Sequence, residues 1–410
     1  MAEEVDVVII GGGIAGASTA YFLAELGMRN VLVLERSSVA AGASGRASGL
    51  VVFCEANHPG QAALLKASAD FYAAWSERIG GVPAIVPVGA LMPAGPADLG
   101  SLEHEVGMMR AAGHDTRLLT PAEAEKLAPA WTFADIAGAA YSPGSGYIDP
   151  PMVTTAIMNR ARALGVRVYQ GAEVQAIEVE AGRVAGVGSN RGPIKAPVVI
   201  IAAGAWSAPL GELVGAKLEV WPARSLVAHL KPPSDMPYPF PASGDDHNHV
   251  YFRPEPGGLV LAADEGSGGL PDQPPADPDR FDPTMPEWYG RWVRQQLARR
   301  IPAMRKAEVV GGHAGVLPKG PDGYPLLGAM GEAQGLYCVC DTGGNGMTAS
   351  PGLGRALAES IVHGRTFVDI HSFRPSRFAE HEPITVAYRH AHTEPPVSWA
   401  LEDGEIRDLE

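Results

Sequence analysis

Cysteine is scarce in this chain of 410 residues. Three occur, Cys54, Cys338 and Cys340, too few for a disulfide framework at this size, which favours a reducing compartment. Cys338 and Cys340 alternate with Val339 in a strand-like run and read as core packing, a C-x-C redox pair being the minor reading. Positive charge is also short. Thirty-two Lys and Arg against 46 Asp and Glu leave a formal net charge of −14. That argues against nucleic acid or an anionic membrane as partner, since both demand a basic footprint. An anionic substrate would need a local basic group to offset the field. Long apolar runs are missing too: no segment offers the roughly 20 unbroken apolar residues of a spanning helix. The opening charges, Glu3, Glu4 and Asp6, are acidic, and the apolar run after them is broken by three glycines, unlike a secretory signal. A soluble, cytoplasmic protein is expected. No internal repeat is visible.

Glycine, by contrast, is abundant and placed with purpose. Residues 6–16 read Asp-Val-Val-Ile-Ile-Gly-Gly-Gly-Ile-Ala-Gly, and Glu35 follows nineteen residues after Gly16. The spacing predicts a buried strand (Val7–Ile10), a glycine turn, a helix (Ala15–Leu26) and a second strand ending in Glu35. Gly11 suits the tight turn, Gly13 lets backbone amides approach a pyrophosphate, and Gly16 lets the helix pack close to the sheet. Glu35 can accept hydrogen bonds from both hydroxyls of an adenosine ribose. Strand, turn, helix, strand and acid in that order indicate a dinucleotide site.

Further along, Ala41–Gly49 is a small-residue loop suited to a closely approaching ligand. Helices are expected at Gln61–Arg78, Pro121–Leu127, Met152–Leu164, Glu287–Arg300 and Gly352–His363. Val166–Val168, Glu173–Glu180 and Arg183–Val187 read as a meander, and Pro197–Ala205 as a buried strand entering a small-residue turn. From Leu218 to about Gly315 the pattern alternates with period two. His249–Arg253 and Leu259–Asp264 flank a Pro-Glu-Pro-Gly-Gly turn as a hairpin, and 266–286 reads as a long loop. Leu336–Val339, Thr342–Thr348 and the following helix repeat the strand–glycine–helix unit, so one domain is built from both ends of the chain. The polar residues from Glu380 suggest an extended tail or a subunit contact.

Taken together, Val7–Gly16 with Glu35, Gly42–Gly49, Gly146–Pro150, Ile200–Ser207, Pro321–Gly328 and Thr342–Thr348 give the chain its resemblance. It resembles the flavoprotein superfamily of D-amino acid oxidase, glycine oxidase and sarcosine oxidase or dehydrogenase over about residues 5–370. The resemblance implies an α/β fold: a Rossmann-like FAD-binding domain of the glutathione-reductase type with a parallel sheet, and a mixed antiparallel β-sheet substrate domain. Residues 1–85, 142–215 and 310–370 would form the first, 86–141 and 216–309 the second, and 371–410 a C-terminal tail. It also implies non-covalent FAD. The implied contacts are Gly11, Gly13, Ile14, Ala15 and Gly16 at the pyrophosphate turn, Glu35 and Arg36 at the ribose, and Ser44, Gly45 and Arg46 at the isoalloxazine and ribityl chain. Val174 meets adenine. Ala203, Gly204 and Trp206 pack near the dinucleotide, and Gly343, Gly344, Asn345, Gly346, Met347 and Thr348 face the flavin N1/O2 edge. A helix start there suits the negative charge that develops on reduction.

The chain also departs from its relatives. Gly315 stands where monomeric sarcosine oxidases carry a flavin-linking cysteine, and Val260 where they carry an oxygen-activating lysine, which favours a dehydrogenase. Leu317 stands at the usual carboxylate-binding arginine, with Lys319 two residues on, so that clamp is missing or rebuilt. The implied reaction is FAD-dependent oxidation of the CH–NH bond of a small amino acid or N-alkyl amino acid, sarcosine-like, D- or cyclic, by hydride transfer to flavin N5. Electrons would pass to O2 or another acceptor. The alternatives are a flavin-bearing subunit of a hetero-oligomeric amine or opine dehydrogenase, and a 2-hydroxy acid dehydrogenase on the same scaffold; homo- and hetero-oligomers both stay open.

Such chemistry asks the protein chiefly for positioning and exclusion of water. Period two puts His249, Tyr251 and Arg253 on one strand face. Tyr251 is the first candidate, as a hydrogen-bond donor to substrate, or a half-buried sheet tyrosine. Arg253 can anchor a carboxylate or pair with Glu255 at the surface. Asp264 can hold a cationic amine or simply begin the next loop. His313 can act as a base or sit in the core, and Lys319 is an alternative carboxylate anchor or a solvated lysine. His390 and His392 superficially resemble a metal pair, but no third ligand accompanies them, and no metal is expected.

Overall fold

Val7–Ile10 is apolar at every position, and all four residues are buried in the computed structural model, which describes residues 3–264 and 276–385. A strand covered on both faces has no reason to alternate. It lies inside a six-stranded sheet ordered 327–329, 336–339, 198–201, 7–10, 31–35, 167–170. Neighbours run parallel except Leu327–Ala329, antiparallel at one edge. Both ends of the chain thus supply this sheet. Helices Ile14–Glu25 and Gly346–His363 pack together beside it, and Gly354 makes the approach possible: a Cβ there would lie 2.7 Å from the Ser18 carbonyl carbon. Cys338 and Cys340 are buried free thiols in the apolar cluster on the sheet's other side.

The C-terminal helix begins at Gly346, six residues before the expected start at Gly352, and carries Pro351 within it. Proline removes the N–H that would bond the carbonyl four residues back. Tyr72 replaces it: its hydroxyl donates to the Met347 carbonyl at 2.5 Å. Ser68 Oγ supports the next turn, accepting from Gly352 N at 2.8 Å and donating to the Ala349 carbonyl at 3.1 Å. The helix expected over 61–78 divides into Pro59–Ala73, capped by the His58 ring, and Trp75–Arg78. Asp149 caps Pro150–Ala163, and Pro121–Leu127 opens on a Thr120–Glu123 capping box.

A second, antiparallel sheet is ordered 243–245, 250–255, 259–264, 221–231, 308–319. The boundary expected at residue 310 falls inside its last strand. Helix Glu287–Arg300, at its expected bounds, covers one face, burying Tyr289, Val293 and Leu297 against Phe252, Val260 and Ala262. The hairpin forms, but His249 is outside it. With φ +53° it closes the 246–248 turn, and the strand starts at Val250. A three-stranded sheet (90–94, 138–142, 117–119) adjoins through Leu91 N to Ala242 O at 2.9 Å. The meander Val174–Glu180, Arg183–Ser189, Gly192–Lys195 joins Glu3–Glu4 in a fourth sheet. His390 and His392 lie outside the described residues. Among the described residues no group of metal-binding side chains occurs, and no helix is long and apolar enough to cross a membrane.

Candidate active site and cofactor groove

The first glycine turn has no room for side chains. Gly11 takes φ +116°, and a Cβ on it would sit 2.4 Å from the Ala202 carbonyl oxygen; one on Gly16 would sit 2.1 Å from the Gly11 oxygen. Opposite, Glu35 Oε2 accepts from Gly12 N at 2.7 Å and Oε1 from Ser37 N at 2.8 Å. Those bonds fix the carboxylate and leave lone pairs toward the groove. Ser44 Oγ accepts from Ile14 N at 2.9 Å, tying the 41–49 loop to the helix start. Gly45, within this loop, packs against backbone, a Cβ there lying only 2.2 Å from the Ala40 oxygen.

From this turn a groove of about 1620 Å³ reaches Tyr251 and Lys319 on the five-stranded sheet. Gly11, Gly13, Ile14, Ala15, Glu35, Arg36 and Val174 line one end, with Ala203, Gly204 and Trp206; Ser44, Arg46 and Gly343–Thr348 line its middle. Gly16 sits beneath the turn rather than on the lining. The cradle, the oriented acid and the helix start at Gly346 are the donors and acceptor that a dinucleotide flavin would need. Lys319 and Asp341 line the same groove. Burial depresses the Lys319 ammonium, against the opposing pull of Asp264 and Asp341. Burial likewise pushes the Asp341 carboxyl up to about 7, although Gly343 N donates to its Oδ1 at 2.9 Å. Asp341 escaped the sequence reading because nothing in Cys-Asp-Thr-Gly-Gly marks its burial.

Residues paired in register share a sheet face, which separates the remaining candidates. Tyr251 pairs with Ala263 and lines the groove with Ser225 and Val227. Asp264 pairs with Val250, so its side chain starts from the opposite, helix-covered face at the groove's edge. There its Oδ1 lies 2.6 Å from the Tyr289 hydroxyl, and burial raises its pKa. Arg253 is buried rather than a surface residue. It ion-pairs with Glu255, donates to the Ser48 carbonyl and stacks 4.6 Å over Tyr147. His313 Nε2 donates to the Arg46 carbonyl at 3.0 Å, its ring 5.5 Å from that of His229. Neither Arg253 nor His313 is among the groove's lining residues; both grip the backbone of the 41–49 loop. Val260 is fully buried in the helix-side cluster, so a lysine at that position would not face the groove. The lining also includes Gln61 and Met92, which carry no local sequence signal.

Known proteins share this fold. Glycine oxidase of Geobacillus kaustophilus is 27% identical over 403 residues, covering 92% of this chain and 98% of that protein. Its crystal structure superposes with a TM-score of 0.76, at 26% identity over 92% of this chain and 99% of that one. The fold also matches L-proline dehydrogenase from P. horikoshii, with a TM-score of 0.84 at 24% identity, covering 93% of this chain and all of that one. 4-Methylaminobutanoate oxidase (formaldehyde-forming) of Paenarthrobacter nicotinovorans is 28% identical over 382 residues, 92% of this chain. The chain spans only 46% of that relative's length, and 42% of human mitochondrial sarcosine dehydrogenase. The family model for FAD dependent oxidoreductases (DAO) matches residues 6–360, and the chain belongs to that family.

Proposed function

We propose that the protein oxidises the CH–NH bond of a small amino acid or N-alkyl amino acid, using FAD held without a covalent bond. The observation that carries this reading is continuity: one groove joins the ribose acid Glu35, the helix start at Gly346 and the sheet face bearing Tyr251. The flavin supplies the hydride acceptor. The chain's own residues bind and orient. Glu35 and the amides of the first turn hold the adenosine and pyrophosphate, and the amides at Gly346–Thr348 face the flavin. Gly315 has no side chain with which to make a covalent link.

Tyr251 is the proposed hydrogen-bonding partner of the substrate, its ring packed against Val227. Lys319 is the proposed partner for a substrate carboxylate. Asp264 acts on Lys319 by charge, and Arg253 and His313 act through the loop they hold. In this assignment the residues up to 85, 142–215 and the chain beyond the sheet strand bind FAD, while 86–141 and the five-stranded sheet bind substrate. The acceptor is O2 or another electron acceptor, and the recovery of a bleached flavin in air distinguishes them.

The test is anaerobic bleaching of the purified flavoprotein by sarcosine, dimethylglycine, D-amino acids, cyclic imino acids and 2-hydroxy acids, followed by air. Bleaching by an amine is expected, and the rate of recovery in air separates oxidase from dehydrogenase. Bleaching by 2-hydroxy acids alone would overturn the amine reading. No bleaching of a fully loaded flavin would move the hetero-oligomeric subunit to the front.

A further inference from the structure

Residues 276–284 leave the five-stranded sheet's side of the molecule and pass along the groove. Both ends of the segment are tied to that sheet. Ala276 N donates to the Pro222 carbonyl at 2.9 Å, Ala314 N donates to the Pro283 carbonyl at 2.8 Å, and Arg224 Nη2 donates to the Thr284 carbonyl at 2.7 Å. Its middle is held by the other half. Asp279 ion-pairs with Arg36, the residue after Glu35, and accepts from Trp206 Nε1 at 3.0 Å. The Arg36 guanidinium lies 4.6 Å over the Trp206 ring, and Phe281 stands under Arg46 at 5.8 Å. Pro278, Asp279 and Phe281 line the groove alongside Glu35 and Arg36.

We propose that residues 276–284 form a latch between the two halves that keeps the dinucleotide in its groove, with Asp279 as the positioning residue. The proposal rests on the reading that FAD fills this groove. A ligand seated against Glu35 and Arg36 leaves past this segment, so Asp279 must let go of Arg36 and Trp206 each time. The latch therefore acts on the rate of escape more than on the chemistry. The Arg36 and Asp279 side chains are 36% and 51% exposed, so salt screens their attraction, whereas the indole bond is less sensitive.

The experiment is FAD release from purified holoprotein on dilution, read as the rise of free-FAD fluorescence. Asp279→Ala is expected to speed release about tenfold, and Trp206→Phe, which keeps a ring but removes the N–H, about threefold. Raising NaCl from about 20 to about 500 mM is expected to speed the wild type while leaving Asp279→Ala unchanged. An Asp279→Ala holoprotein that releases FAD at the wild-type rate, with the same salt response, would overturn the latch while leaving the cofactor reading intact. A chain that binds no FAD on titration would overturn both.

Discussion

Two buried strands end in a carboxylate, and their fates differ. Glu35 ends a parallel strand, takes its hydrogen bonds from the backbone amides of Gly12 and Ser37, and faces the groove. Asp264 ends an antiparallel strand, lies against a tyrosine hydroxyl twenty-five residues away, and has its pKa raised by burial. In the dinucleotide half, backbone geometry prepares the site and side chains complete it. In the sheet half, side chains pair with one another first, as Arg253 does with Glu255 and Asp264 with Tyr289, and few remain to meet a substrate. Both carboxylates take a bond from across the chain, 23 and 25 residues away, and they differ because the partner is a backbone amide in one case and a buried tyrosine hydroxyl in the other.

The sharpest way to break this contrast is at Gly16. A Cβ would collide with the Gly11 oxygen at 2.1 Å, backbone that cannot move without dismantling the turn. Gly16→Val is expected to purify without flavin absorbance and to take up FAD at least about 100-fold more weakly. Circular dichroism of the apoprotein checks that the fold survives. Normal flavin content would sink the claim that backbone geometry prepares this end.

Asp341 lies where the halves meet, and it can be tested by pH. Its carboxyl titrates at about 7 in the folded chain because burial favours the neutral form. The unfolded chain returns it to the ordinary range near about 3.9. The folded state therefore binds the extra proton. The resulting stability is fully present below about pH 4 and drains away as pH rises through about 7, by at most about 4 kcal/mol. Lys319 and Arg377 face the carboxyl with their charges and Asp322 opposes them. Asp341→Asn is expected to flatten the dependence of thermal midpoint on pH across that window. Identical pH slopes for wild type and variant would remove Asp341 from the account.

These outcomes also mark what was legible in the sequence. The parallel part of the six-stranded sheet was, because Val7–Ile10, Val31–Glu35 and Val198–Ile201 are continuous apolar runs, whereas the antiparallel edge strand Leu327–Ala329 was not expected. So were the hairpin and the helix Glu287–Arg300, where period and composition agree. The start of the last helix was not, because Pro351 reads as a breaker until Tyr72 is seen supplying the missing hydrogen bond. Arg253 was singled out on a strand face and His313 as a candidate base, yet their partners, the Ser48 and Arg46 carbonyls, are more than 200 residues away. Periodicity reports a face; it does not report what another segment lays across it.

Glu35→Ala tests the first carboxylate directly. Removing an acceptor held toward the ribose, and with it the bond to Gly12 N, is expected to weaken FAD binding about 10- to 100-fold. Fluorescence titration of the apoprotein measures it. An unchanged affinity would make the acid a support for its own turn and nothing more.

Tyr251→Phe carries the smallest expected effect and separates the halves most cleanly. The ring stays against Val227, Leu261 and Ala263, so packing is conserved and only the hydroxyl is lost. If that hydroxyl meets the substrate, kcat/KM for the amine identified by bleaching falls about three- to tenfold, the worth of one neutral hydrogen bond. Flavin content and the rate of FAD release stay as they were, because the tyrosine lies on the sheet side of the groove. A loss of FAD without a change in turnover would reverse the assignment and give Tyr251 to the cofactor. The Ser225 hydroxyl would then remain on that side of the groove, and carboxylate recognition would rest on Lys319, whose Lys319→Met variant should raise KM for carboxylate-bearing amines and spare the others.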